Sequence, residues 1–481
     1  MVTEPLIREI PVPPTAAQAF EAFKDRPFCF FLDSGMDSQR LGRFSFLGSD
    51  PFLVMKSRGR EIDLLLGDRE RRISGNPFQV LGKLLDQYRI PSPPAEVPLL
   101  GGAVGYLSYD LCHFVERLPG RARDDLLLPE SYFGFYDALV AWDHLLGKAY
   151  LISTGLPETG PAQRRRAEAR LEEMGSRLRA TGSVAEASWS PQISPPPELH
   201  SNFTHQAYVK AVERAREYIS AGDIYQVNLS QRFEAPLSLA PYELYRYLRR
   251  INPAPFAAYL GFPEVAVVSS SPERFLRLHG DRVETRPIKG TRPRGSTPEE
   301  DRALARELLH SPKDQAEHVM IVDLERNDLG RVCQYGTVRV SELMALESYA
   351  TVHHLTSTVE GKLRPDRSTM DLLQACFPGG SITGAPKVRS MEIIDELEPT
   401  RRSVYTGAIG YLSFNGDLDL NIAIRTILIK EGRAYFQVGG GIVYDSDPEA
   451  EYQETLDKAR ALIQALRETP TPRPLEARPH G

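Results

Sequence analysis

Glu273, in Ser271-Pro272-Glu273, and Lys289, in Arg286-Pro287-Ile288-Lys289-Gly290-Thr291-Arg292, are the residues of this sequence best suited to chemistry. A carboxyl group can protonate a leaving group, and a lysine freed of its proton can act as a nucleophile. The lysine stands among Arg286, Arg292 and Arg294, and like charges lower an ammonium pKa from about 10.4 toward the range where free amine exists. A solvated basic loop is the bland reading of the same residues, and the stretch alone leaves both open. The β-branched segments at 265–268 and 282–285, with Gly280-Asp281 between them, predict a hairpin that places Glu273 and Lys289 near strand ends, close together.

Further acids fall on two predicted helices. Ser311-Pro312 reads as a helix start with serine as cap, so Asp314 and Glu317 share a face that continues into Ile321 and Leu324. Carboxylates on a core-directed stripe need a partner, and a magnesium ion is one such partner. A helix starting near Asp447-Pro448 aligns Glu451, Glu454 and Lys458 away from its Tyr452, Leu456, Ala459 and Ile463 stripe. Taken alone, Glu454 and Lys458 read as a four-apart surface pair. The glycine-rich stretches 377–387 and 438–442 can aim backbone N–H groups at an anion, and Arg425 can clamp a carboxylate through two parallel bonds. Neither loop carries a GxxxxGK[ST] or GxGxxG pattern, and tight turns explain the glycines equally well.

Around these residues the elements fall into two parts. The first third is sheet-rich, with strand-like pieces at 28–32, 44–47 and 138–142, followed by a charged helix over 162–180 whose Arg164/Glu168 and Glu173/Arg177 pairs mark a solvated face. Prolines and serines over 188–198 predict a linker, so the expected domains are 1–190 and 200–467, with a disordered tail over 468–481. After the linker, Tyr208, Val212, Ala215 and Ile219 recur at helical spacing, with Gly222 as the stop. A strand over 224–233 follows, with Gln226, Asn228, Ser230 and Arg232 on one face. That face either meets water, the simpler expectation, or lines a polar pocket.

Composition excludes several classes. The chain has 481 residues and a net charge of -6, which argues against a general nucleic-acid binder. Cys29, Cys112, Cys333 and Cys376 are scattered, without a CxxC pair, so neither a zinc ribbon nor a disulfide framework is indicated. A reducing cytosol fits such cysteines. The acidic, proline-bearing start MVTEPLIREIPVPPT lacks the apolar core of a signal peptide, and no apolar run reaches membrane-spanning length. A cytoplasmic protein without membrane or nucleic-acid partners is expected.

Seven ordered motifs over residues 200–465, PIKGTRPRG, KDQAEHVMIVDLERNDLGRVC, HHLTSTVEGKL, FPGGSITGAPKVRSMEIIDELEP, YTGAIGYL, NIAIRT and GGGIVYDSDPEAEYQET, resemble the catalytic domain of chorismate-utilising enzymes. These include anthranilate synthase component I, aminodeoxychorismate synthase component I, isochorismate synthases and salicylate synthases. FLDS (31–34) and GRFSFLG (42–48) resemble the amino domain of the first two groups. The resemblance implies an α/β (α+β) sandwich of large antiparallel sheets flanked by helices, with the amino domain wrapped around the same core.

It also implies roles. Isochorismate and salicylate synthases place a water-activating lysine where this chain has Gln226, so ammonia is the implied nucleophile. Anthranilate synthases typically read PIAGT where this chain reads PIKGT, and the lysine is similar to that of aminodeoxychorismate synthases. Glu273 would then be the general acid for the departing C4 hydroxyl of chorismate, and Lys289 would add at C2. Glu317 and Glu454, with Glu451 and Asp314, would hold Mg2+. Tyr405, Arg425, Gly439, Gly440, Gly441 and Lys458 would grip the substrate carboxylates, with Thr291, His354 and Ser381 nearby. Ser34, Pro255 and Phe256 correspond to a pocket that can hold tryptophan in relatives. No cysteine has the setting of a glutaminase nucleophile, so ammonia from glutamine would need a glutamine amidotransferase subunit. Anthranilate synthase and a catalytically silent regulatory relative are the alternatives.

Overall fold

The computed structural model describes residues 4–11, 15–34, 36, 41–91, 97–181, 189–193, 198–349 and 352–472. Among them, two twelve-stranded antiparallel sheets face each other, flanked by helices. Each sheet joins a block of strands from the first part of the chain to a block from the second. In the first, Cys29–Asp33 pairs with Phe256–Gly261, which leads through Ala266–Ser271, Thr426–Lys430 and Arg433–Ile442 to Gln226–Pro236. In the second, Ile288–Pro293 leads through Val352–Lys362, Arg282–Arg286, Arg274–His279 and Leu418–Ile422 to Ala408–Ser413, which pairs with Gly102–Leu107.

The main core lies between the sheets, where Phe30, Leu260, Val267 and Leu428 meet Phe133, Leu276, Ile409 and Leu420. Each such side chain contributes about 1.5–3 kcal/mol by leaving water. The outer face of the first sheet is covered by Pro241–Ile251 and Pro448–Arg467, which bury Tyr245, Leu248, Ala459 and Leu462. Because both faces of these strands are covered, runs such as Ala266–Ser271 are buried at every position, without the alternation of a one-sided sheet.

Two neighbouring crossings between the sheets carry site residues. Ala266–Ser271 lies in the first sheet and Arg274–His279 in the second, so the crossing falls on Pro272 and Glu273. Leu418–Ile422 and Thr426–Lys430 are split in the same way, and this crossing carries Arg425. Backbone bonds tie them together: Ile422 N–H donates to the Glu273 carbonyl at 3.0 Å and Ser270 N–H to the Arg425 carbonyl at 3.1 Å. A crossing has no ladder partner on one side, which frees its side chain to face the gap between sheets.

Three expectations need correction. The hairpin does form across Gly280-Asp281, with His279 opposite Arg282, but its first strand is Arg274–His279. Residues 266–268 run in the other sheet, beside Tyr259, Leu260 and Ile427–Ile429. Propensity marked 265–268 as a strand; it could not say which sheet receives it. The expected linker and the start of the expected disordered tail also pair with each other, Trp189–Ile193 running antiparallel to Glu468–Pro472. An isolated two-stranded ribbon tolerates proline, as sheet edges do. Residues 182–188, 194–197 and 473–481 lie outside the described residues. Third, the polar face of Gln226–Pro236 does not meet water: Gln226, Asn228, Ser230 and Arg232 are all buried. Ser230 Oγ donates to Glu398 at 2.6 Å, and Arg232 pairs with Asp125 at 3.0 Å. Among the described residues no helix is long and apolar enough to cross a membrane.

Candidate active site

Glu273 is only 4% exposed at its crossing. Its Oε1 accepts a hydrogen bond from Ser381 Oγ at 2.6 Å and a longer one from Ile288 N–H at 3.4 Å. Burial pushes its pKa up to about 7, against the opposing pull of Ser381 and of the Lys289 charge. Near neutral pH such a carboxyl carries its proton much of the time, as a general acid must.

Ser381 rides on the short 3-10 turn Gly380–Ile382. Two buried polar groups fix that turn: Gly380 N–H donates to Glu325 Oε1 at 3.0 Å, and Arg402 Nη1 donates to the Ile382 carbonyl at 2.9 Å. Arg402 is itself paired with Glu398 at 2.8 Å, both almost fully buried. The glycine-rich loop 377–387 therefore spends the Gly380 N–H on a carboxylate of its own chain, and Lys387 pins the loop through Asp328 and the Cys376 and Pro378 carbonyls.

Lys289 projects from Ile288–Pro293, and among the described residues its Nζ has no hydrogen-bond or ion-pair partner. Its pKa is lowered, first by burial and then by Lys458, while Glu317, Glu273 and Glu454 oppose the shift. The arginines expected to cause the lowering do not. Arg286 is paired with Glu347 at 2.7 Å, Arg292 with Glu307 at 2.7 Å and Asp314 at 3.0 Å, and Arg294 with Asp301 at 2.7 Å. Each is neutralised by an acid that the local sequence did not reveal.

Pro448–Arg467 lays Glu451 and Glu454 over the glycine strand. A side-chain carbon on Gly440 would come within 3.0 Å of Glu451 Oε2 and 3.4 Å of Glu454 Oε1. Glu451 is buried, with Oε1 accepting from Ser446 Oγ at 2.6 Å and Oε2 left without a partner. Burial and then the neighbouring Glu454 raise its pKa, and burial raises that of Glu317. Glu454 is half exposed and pairs with Lys458 at 2.6 Å, which lowers its pKa. Asp314 is turned to Arg292. Among the described residues no three acids, histidines or cysteines are drawn together closely enough to enclose an ion. Glu454 nevertheless acts on both Glu317 and Glu451, Glu451 Oε2 has no partner, and such hard oxygen donors suit a divalent cation.

The remaining predicted residues are held by short contacts of their own. Thr291 Oγ1 and His354 Nδ1 are 2.9 Å apart, and burial with the Arg425 charge pushes the His354 pKa down to about 3, so its imidazole is neutral. Arg425 has φ +52° and donates to the Lys458 carbonyl at 2.9 Å. Lys458 Nζ donates to the Gly439 carbonyl at 2.9 Å. Tyr405 is buried beside Arg402. At Gly441 a side-chain carbon would sit 2.0 Å from Gln226 Nε2 and 3.3 Å from Lys289 Nζ. This glycine is required by close approach rather than by a turn. The structure thus gathers the predicted acid, lysine, carboxylates and cations around one strand edge.

Ser34 and Phe256 meet elsewhere, in a cavity of about 320 Å³ that Arg274, Tyr411 and Asn421 also line; Pro255 is not in its wall. Sequence reasoning missed Glu325, Arg402 and His318, whose Nδ1 lies 3.3 Å from the Lys289 carbonyl and whose Nε2 lies 2.5 Å from Ser357 Oγ. All three act through buried contacts distant in sequence. Their only local signal was a charged or polar residue on a core-facing position.

The comparisons with known proteins agree with this geometry. The family described as chorismate binding enzyme matches residues 27–464. This chain belongs to that family. It is 42% identical to an anthranilate synthase component 1 of Acetivibrio thermocellus, over 94% of this chain and 93% of that protein. It is also 42% identical to an aminodeoxychorismate synthase component 1 of Bacillus subtilis (strain 168), over 90% and 91%. Among solved structures, anthranilate synthase component I from Streptococcus pneumoniae TIGR4 superposes with a TM-score of 0.77 at 33% identity, covering 95% of this chain and 99% of that one. The menaquinone-specific isochorismate synthase from Escherichia coli shares the fold, with a TM-score of 0.71 at 19% identity. Overall identity does not separate the two leading reactions; the site residues must.

Proposed function

We propose that this enzyme aminates chorismate at C4 to give 4-amino-4-deoxychorismate. The observation that carries the reading is Lys289, an amine without a partner, with its pKa lowered by burial, on the same recess as the buried acid Glu273. Glu273 protonates the departing C4 hydroxyl while Lys289 adds at C2. Ammonia then attacks C4 and expels the lysine. With C2 occupied, ammonia is directed away from the position that would lead to anthranilate, and the enolpyruvyl group is retained.

Tyr405, Arg425, Lys458, Thr291, His354 and the open strand edge at Gly439, Gly440 and Gly441 receive the carboxylates of the substrate. Glu317, Glu451 and Glu454 would hold Mg2+, with Asp314 as an outer member; bound there, the ion would neutralise a ring carboxylate. Ammonia comes from a glutamine amidotransferase subunit, a reading supported by the component 1 names of the relatives and by four cysteines that are all buried. The product would lead to 4-aminobenzoate and folate. Unpaired cysteines support a reducing, cytoplasmic setting. Tryptophan is proposed for the cavity that Ser34 and Phe256 line, where a thermal shift on its addition, lost in Ser34→Trp, would be the test.

Product analysis tests the main reading. With chorismate, Mg2+ and an ammonium salt, the purified chain should form 4-amino-4-deoxychorismate and release little pyruvate. Fluorescent anthranilate with stoichiometric pyruvate would instead identify an anthranilate synthase.

A further inference from the structure

Two buried amide oxygens face the recess without a partner. Gln226 Oε1 and Asn228 Oδ1 accept no hydrogen bond, although their side chains are only 1% and 9% exposed. A buried unpaired acceptor costs about 1–3 kcal/mol, so a pair of them on one strand calls for a reason. The register supplies the location. Gln226 and Asn228 are two apart on Gln226–Pro236 and share its face, and Asn228 stands directly opposite Gly441. Gly441 is the residue against which both the Gln226 amide and Lys289 Nζ are packed. The Gln226 amide group, through its Nε2, and the Lys289 amine thus meet at a glycine with no side chain to separate them, and Asn228 is the ladder partner of that glycine.

We infer that Gln226 and Asn228 are positioning residues for Lys289, an uncharged pair of acceptors that receives its two N–H bonds when its nitrogen becomes bonded to the substrate. The inference rests on the covalent reading of Lys289 given above. In that step the Nζ lone pair forms the bond to C2 and the two ring double bonds each move by one position. The C4–O bond breaks, and the hydroxyl leaves as water with the Glu273 proton. The nitrogen keeps both of its hydrogens and gains a positive charge. Two charged N–H donors then need two acceptors, and the strand face presents two. When ammonia bonds to C4 the shifts reverse, the C2–N bond breaks and the charge leaves Nζ.

Neutrality of the acceptors matters as much as their number. The groups facing Lys289 from the packed elements already include Glu317, Glu454 and Glu273 on the acidic side and Lys458 on the basic side, with neutral His354 beyond. A carboxylate at 226 or 228 would pair with the lysine in the resting enzyme and hold it as an ammonium, useless as a nucleophile. An amide hydrogen-bonds to the adduct without stabilising the free ammonium to the same degree. The amide of Gln226 can present its oxygen where Nε2 now lies by a half-turn of the terminal group.

Two measurements test this, one of them independent of the product. Carbamylation of Lys289 by potassium cyanate, followed by peptide mass spectrometry against a surface lysine of the same chain, reads the free amine directly. Gln226→Glu and Asn228→Asp should each slow it about tenfold or more, the value of one charge-assisted hydrogen bond. Unchanged labelling in both would overturn the proposal whatever the enzyme makes. With chorismate and Mg2+ but no ammonium, intact mass should show an adduct of chorismate less one water on wild type. Gln226→Met and Asn228→Leu should form it about tenfold or more slowly with little change in KM. Wild-type adduct rates in both variants would likewise overturn it. Absence of the adduct from wild type, together with anthranilate as product, would remove the reading of function while the cyanate result still decides whether the amides face Lys289.

Discussion

Ser381 Oγ donates a 2.6 Å hydrogen bond to Glu273 Oε1, and this bond ties the acid to a turn held by Glu325 and Arg402. The bond favours the ionised carboxylate, so it restrains the rise that burial imposes, and Glu273 settles at about 7. A general acid is needed in its protonated form. The contribution of the acid should therefore be lost as pH rises through about 7, while protonation of Lys289 lowers activity on the acid side. Ser381→Ala should move this loss to higher pH while lowering the maximum, because the acid is held less firmly. A pH–rate profile of kcat for the two chains checks both signs. Glu273→Gln should lose about 10²- to 10⁴-fold below about pH 7, with the deficit shrinking above it as wild type loses the proton.

Glycine substitutions should separate fold from site. In Gly441→Ala the new carbon meets Gln226 Nε2 and Lys289 Nζ, both ends of flexible side chains that can shift. The chain should stay folded, with its melting temperature little changed, yet lose most activity. In Gly439→Ala the carbon would lie 2.5 Å from the Leu229 carbonyl, which is backbone and cannot swing aside. That variant should be destabilised by about 1–3 kcal/mol, as overpacking is elsewhere. Thermal unfolding alongside kcat distinguishes the two.

Glu325 offers a stability test with a definite sign. Burial pushes its pKa up to about 8, whereas an unfolded glutamate titrates near about 4.3. Between those values the unfolded chain is ionised and the folded chain protonated, so unfolding releases a proton. Stability should fall with rising pH across this window, by about 1.4 kcal/mol per unit from this group. Glu325→Gln keeps an acceptor for Gly380 N–H and carries no proton to lose. Its melting temperature should exceed that of wild type at pH 7 and match it near pH 4.5.

For the metal, Mg2+ should raise the melting temperature of the Lys289→Ala chain, which makes no product. A ligand bound only to the folded state at 100 times its Kd adds about 2.7 kcal/mol. Glu451→Gln, which removes a charge beside Glu454, should weaken that shift. A shift of equal size in both chains would exclude Glu451 as a ligand.

Much of this site was legible because its parts are local. Ser311 caps its helix and accepts from Asp314 N–H at 3.3 Å, Gly222 takes φ +83° after His205–Ser220, and Asp447 caps Pro448–Arg467 by accepting from Ala450 N–H at 2.9 Å. What the sequence hid was pairing at a distance. Arg286, Arg292 and Arg294 look like a field acting on Lys289 until their partners Glu347, Glu307 and Asp301 fold against them. The polar face at 226–232 looks solvent-bound until Glu398 and Gln437 fold against Ser230, and Asp125 against Arg232. Residues 265–268 were recognisable as a strand; their sheet was not, since two residues suffice to cross between the layers.

The role of Lys289 is the centre of this account, and one comparison tests it. Wild type and Lys289→Ala are supplied with chorismate, Mg2+ and ammonium, and products are resolved by mass spectrometry while circular dichroism confirms equal folding. Wild type should give 4-amino-4-deoxychorismate, and Lys289→Ala should lose that product by at least about 10³-fold, the scale of losing an activated nucleophile. An unimpaired Lys289→Ala, or anthranilate with pyruvate from wild type, would contradict it.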